Sequence, residues 1–65
     1  MINRIFTVYD EITSNEMEVY INDKNKIVIK VGSDLYDMYD TQIISLDLED
    51  INELIKELNA LKKLL

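Results

Sequence analysis

The sequence predicts an α+β domain: a small antiparallel β-meander of three to four strands with one C-terminal α-helix packed on one face. Three observations predict it. Short runs in the first two-thirds of the chain alternate apolar and polar residues with period two. Two of those runs are joined by a tripeptide suited to a tight hairpin. The last third carries an apolar stripe at helical spacing. At 65 residues, the chain is expected to form one domain over 1–65.

The first strand is placed at about 2–9. Ile5, Phe6, Thr7, Val8 and Tyr9 are the β-branched and aromatic types that fit a pleated surface. Residues 10–15 are polar and read as a loop. The second strand, about 16–22, sets Met17, Val19 and Ile21 on one face and Glu16, Glu18 and Tyr20 on the other. The third, about 26–32, does the same with Ile27, Ile29 and Val31 against Val28 and Lys30.

Register and turn chemistry agree at the link between these two strands. If Asp23-Lys24-Asn25 is a three-residue loop, Ile21 faces Ile27, Val19 faces Ile29 and Met17 faces Val31. All six apolar residues then share one side. Such a loop ends on a left-handed residue, and Asn25 is the best non-glycine choice. A two-residue loop would mix the faces.

Gly32-Ser33 ends the third strand, and a fourth is placed at about 41–46 with Ile44 and Leu46 inward. The helix is placed at about 48–64. Asp47 suits the N-cap, Glu49 and Asp50 the first turn, and Lys62 and Lys63 the last. Leu48, Ile51, Leu54, Ile55, Leu58, Leu61 and Leu65 form a stripe about 140° wide. That suits a helix lying across a sheet.

Composition narrows the function. Cysteine and histidine are absent, which removes disulfides, the usual zinc sites and histidine-based triads. One glycine leaves no phosphate-binding loop. A chain this short rarely encloses a pocket, so no enzyme and no cofactor are expected. Thirteen acids against seven bases give a net charge of -6, which argues against direct binding to nucleic acid or anionic membranes. A basic protein surface is the natural counterpart. With no spanning apolar run and no signal-like start in MINRIFTVYDE, the expected location is cytoplasmic. Usage rich in Ile, Lys, Asn, Asp and Tyr fits an AT-rich coding genome, of a low-GC microbe or its phage.

Residues 33–41, SDLYDMYDT, contain a small repeat. Its three aspartates, Asp34, Asp37 and Asp40, recur every third residue. A calcium loop of the EF-hand type takes ligands at alternate positions with a glycine at the sixth, so the spacing does not match; a loose calcium or magnesium site stays as a minor alternative. Tyr36 and Tyr39 between the acids suit a contact surface, since tyrosine offers large area at low entropy cost. Asp34, Tyr36, Asp37, Tyr39 and Asp40 are therefore the expected partner-binding residues, with no metal site assigned.

A single helix covers a sheet on one side only. On the other side Ile5, Tyr20 and Val28 would form an apolar row if Phe6 pairs with Val19. That row, with Leu61, Leu64 and Leu65 at the C-terminus, is the expected self-association surface. The function expected is a small acidic, non-enzymatic protein-interaction module, homodimeric, acting by binding another protein. The alternative is an acidic inhibitor that mimics nucleic acid against a DNA- or RNA-handling enzyme, as some small phage proteins do.

Overall fold

The computed structural model describes residues 5–37 and 39–65. Four strands, β1 (Phe6–Asp10), β2 (Asn15–Ile21), β3 (Ile27–Gly32) and β4 (Thr41–Leu46), precede one helix, α1 (Leu48–Lys62). The strands form one antiparallel sheet in the order β1-β2-β3-β4. This is the expected α+β meander with a C-terminal helix. Residues 2–4 of the expected first strand lie outside the described residues, as does Met38.

The β2–β3 hairpin has the register that the alternation demands. Ile21 pairs with Ile27, Val19 with Ile29 and Met17 with Val31. The loop is Asp23-Lys24-Asn25, and Asn25 adopts φ 63°. Asn22 organises it from outside: its Oδ1 accepts from the amides of Lys24 at 3.0 Å and Lys26 at 2.9 Å. An asparagine that bonds the backbone two residues on is a turn former.

The β1–β2 turn is built the same way. Asp10 accepts from the Ile12 amide and from the Thr13 hydroxyl, both at 2.9 Å. Ser14 closes the loop at φ 62°. Phe6 then pairs with Val19 and Val8 with Met17.

The registers sort the side chains into two faces. On the first, Phe6, Val19, Ile29 and Ile44 form one row across all four strands. Val8, Met17, Val31 and Gln42 form the row on one side of it; Ile21, Ile27 and Leu46 form the row on the other. The opposite face carries Thr7, Glu18, Lys30 and Ile43 in one row, and Tyr20, Val28 and Ser45 in the next.

The apolar residues of the first face were expected to point inward, and which face the helix covers was left open. Phe6, Ile21 and Ile44 on that face are exposed, Ile44 by 56%. The helix touches the sheet chiefly at β4, the strand it follows, and buries none of its own residues. Only Val28, on the other face, is a buried hydrophobic residue among those described, at 4% exposure. It sits in an inner strand between Tyr20 and Ser45. The Lys30 ammonium lies over the Tyr20 ring, 5.6 Å from its centroid, within range of a cation–π contact.

The reason is the joint between β4 and α1. Asp47 alone separates them, whereas strand-to-helix links usually run ~2–6 residues. Asp47 is also the N-cap. It accepts from the Asp50 amide at 2.9 Å, and the Asp50 carboxylate accepts from the Asp47 amide at 3.4 Å. This reciprocal capping box satisfies two backbone donors and starts the helix immediately after the strand.

The result is an open shape. The radius of gyration is 13.2 Å, against ~10.7 Å for a compact domain of this length.

Asn25 gives a direct test of the hairpin. Asn25→Gly is expected to leave the urea midpoint unchanged or slightly raised. Asn25→Val is expected to cost ~1–2 kcal/mol, because a β-branched residue resists φ above zero. Equal stability of the two variants would mean that the loop does not depend on that conformation.

Candidate functional site

Two surfaces stand out: the 33–40 loop and the uncovered apolar area.

In the loop, the carboxylates fold the chain. The Asp34 Oδ1 accepts from the Tyr36 amide at 3.0 Å, and the Asp37 Oδ1 accepts from the Tyr39 amide at 2.9 Å. The repeat Asp-x-Tyr is thus two successive turns, each closed by its aspartate. The Asp37 amide donates to the Asp34 carbonyl and the Asp40 amide to the Asp37 carbonyl. Asp40 ties the two ends together: its Oδ2 accepts from the amides of Ser33 and Asp34, both at 3.0 Å, and from the Ser33 hydroxyl. Thr41 completes the knot by donating from Oγ1 to the carbonyls of Asp34 and Asp37.

Gly32 makes the loop possible. A Cβ at that position would lie 2.5 Å from the Asp40 carbonyl oxygen. That contact is to backbone, which cannot step aside as a flexible side chain could.

The loop's bonding explains its chemistry. Among the described residues, no group of three or more acidic side chains is placed to hold a metal ion. Asp34, Asp37 and Asp40 do not converge; each turns inward to its own backbone. Tyr36 and Tyr39 are both 99% exposed. All five residues expected here to bind a partner are exposed, and the aspartates in addition close the turns. Ser33 and Thr41 were missed by reading the sequence. Their signal was the Asx-turn spacing, which puts an aspartate two residues before an amide it can bond.

The self-association residues separate in the structure. Ile5, Leu61, Leu64 and Leu65 are exposed. Tyr20 is half-buried. Val28 is core and offers no contact surface, which corrects its expected role.

The larger apolar surface lies where the core was expected. Phe6, Val8, Val31 and Ile44 on the sheet are exposed, as are Leu54, Ile55, Leu58 and Leu61 on the helix. The whole chain exposes 6030 Å², and a compact monomer of 7.7 kDa would expose only ~4,300 Å². At the β1–β2 end of the same sheet face lies an open hollow of about 350 Å³. Val8, Met17 and Val31 form its apolar wall; Asp10, Thr13 and Glu16 border it. It continues the uncovered face.

No helix among the described residues is long and apolar enough to cross a membrane. Comparison with protein-family models, with curated proteins and with solved structures finds no match.

Three of the aspartates that close turns or caps share an electrostatic consequence. The Asp40 carboxyl is held below its ordinary pKa by the Ser33 hydroxyl, with help from the Asp34 and Ser33 amides. Asp10 is lowered by the Thr13 hydroxyl and the Ile12 amide, and Asp47 chiefly by the Asp50 amide. A pKa lowered on folding contributes stability that is present above the unfolded value and lost as pH falls through the folded one. Stability is therefore expected to hold near neutral pH and to fall below about pH 4. Asp40→Asn should be less stable than the parent at pH 7, and the difference should shrink in acid. Urea midpoints at pH 7, 4 and 3 measure this; a difference independent of pH would remove the carboxylate from the account.

Proposed function

We propose that this chain is a non-enzymatic protein-interaction module. It associates with itself through its uncovered apolar surface and contacts a further, basic protein through the tyrosines of the 33–40 loop. One observation carries the proposal: sheet and helix each leave an apolar face open, at positions that a self-sufficient domain would fill with its own core. Contiguous apolar area on this scale marks an interaction surface.

The loop supports the second contact. Two fully exposed tyrosines stand on a turn held from beneath by three carboxylates and two hydroxyls. Rings on a rigid support bind with little loss of freedom. The net charge of -6 favours a basic counterpart and speeds the encounter.

The nucleic-acid-mimic reading has less support. A mimic displays carboxylates in a row, free to stand in for phosphates. Asp10, Asp34, Asp37, Asp40 and Asp47 all bond their own backbone.

Light scattering behind a sizing column tests self-association. The expected mass is twice the 7.7 kDa of the chain, at both low and high salt, because apolar burial is not screened by ions. A monomer at every concentration would overturn this part. The loop contact is tested by titrating isotope-labelled protein with an arginine-rich peptide and following amide shifts. The expected response centres on residues 34–40 and is lost in the Tyr36→Ala, Tyr39→Ala double variant. That variant's stability should stay within about 0.5 kcal/mol of the parent, as for exposed residues generally. Shifts spread evenly over all the acidic residues would mean charge attraction alone and would overturn the loop's role.

A further inference from the structure

We propose that the surface covering the open sheet face is the helix of a second copy, and that the exchange is reciprocal: α1 of each chain lies across the sheet of the other. This rests on the self-association proposed above and adds its geometry.

The joint supplies the first reason. A single residue, closed in a capping box, separates β4 from α1, and the helix touches its own sheet chiefly at β4 with none of its residues buried. Its stripe is left needing cover from elsewhere. Short connections that hold an element off its own domain are a known route to exchange between identical chains.

The two open surfaces supply the second. The helix presents Leu54, Ile55, Leu58 and Leu61, all exposed. Its 15 residues make a rod ~22 Å long. Strands of six to seven residues give a face ~20 Å long. A helix and a face of equal length fit without overhang.

Alternatives within a dimer leave apolar area open. Two helices packed together would leave both sheet faces in water. Two sheet faces packed together would leave both helical stripes in water. Only helix on sheet covers both kinds of surface at once, and two-fold symmetry makes the contact twice.

Area gives the scale. The excess exposure over a compact monomer is more than ~1,000 Å² per chain, so two copies bury at least ~2,000 Å² between them, within the range of obligate homodimers. Charge on the sheet does not oppose the contact: no charged residue stands in its three apolar rows. At 100° per residue Glu49 and Glu53 lie on the helix side away from the stripe, Asp50 and Glu57 flank its Leu61 edge, and Lys62 falls within it, where its long stem can keep the ammonium in water.

The chain has no cysteine of its own, so placed thiols report cleanly. Ile44→Cys and Leu58→Cys would be made in separate chains, refolded together and treated with a short bismaleimide. The expected product is a covalent dimer joining one of each. In the double variant Ile44→Cys, Leu58→Cys, the bridge should again run between chains. A bridge within one chain would show the helix on its own sheet and overturn the exchange. Rapid bridging of Leu58→Cys chains to each other alone would show helix against helix and also overturn it.

A second variant avoids the risk that a cysteine disturbs packing. Inserting Gly-Ser-Gly-Ser between Leu46 and Asp47 keeps the cap but frees the joint. The helix can then return to its own sheet, and the concentration needed for dimerisation should rise by ~10-fold or more. Unchanged dimerisation would overturn the role of the joint. A parent that is dimeric but bridges in another pattern defeats the exchange and leaves self-association standing. A parent that is monomeric defeats both.

Discussion

Asp47 is the single residue between β4 and α1, and its carboxylate is committed to the first turn of the helix. From that joint follows the way this chain uses its apolar residues. A helix that starts one residue after a strand continues on a course set by the cap. The helix meets the sheet chiefly at β4. The apolar stripe and the apolar sheet face were both made, yet within one chain much of each stays exposed. Hydrophobic residues without cover are expensive in water, at ~25 cal/mol per Å². A short joint thus converts what would be an internal core into surface.

Much of the fold was legible because it is decided locally. The alternation of Met17, Val19 and Ile21 against Ile27, Ile29 and Val31 admits one register, since a slip of one residue turns every side chain over. Asn25 fixes the same register through its backbone conformation, independently of packing. Two unrelated constraints that agree make a strong prediction. The helix limits were legible for a similar reason: Asp47 and Asp50 at one end and Lys62 at the other are local signals.

The position of the helix was not legible in the same way. The stripe from Leu48 to Leu61 states that one side of the helix avoids water; it does not state which chain provides the cover. That depends on how Asp47 directs the helix axis, a matter of three-dimensional geometry rather than of pattern. Val28 is a like case: period two places it on a face, and its burial is not written in the alternation. In the 33–40 loop the acids at every third position stood out in the sequence, but the turns they close did not. The amides of Tyr36 and Tyr39 lie two residues on from an aspartate, and that spacing spends the carboxylates on the turn.

Charge and apolar surface are kept apart on the first sheet face, and this separation bears on the proposed acidic interaction module. The net charge of -6 would oppose association if it lay on the contact surface. The three rows of that face carry no charge, and Glu49 and Glu53 of α1 lie opposite its stripe. The loop aspartates are held at the turn between β3 and β4, at the end of the sheet. Apolar contact between copies can therefore form without bringing carboxylates together, while the same carboxylates keep the outer surface soluble and attractive to a basic protein. In the proposed dimer the turn that carries Tyr36 and Tyr39 would stay outside the contact, because its position is set by Gly32, Asp40 and Thr41 at the sheet's end rather than by the helix. The proposed self-association and the proposed binding of another protein would then use different atoms, and neither would need to give way to the other.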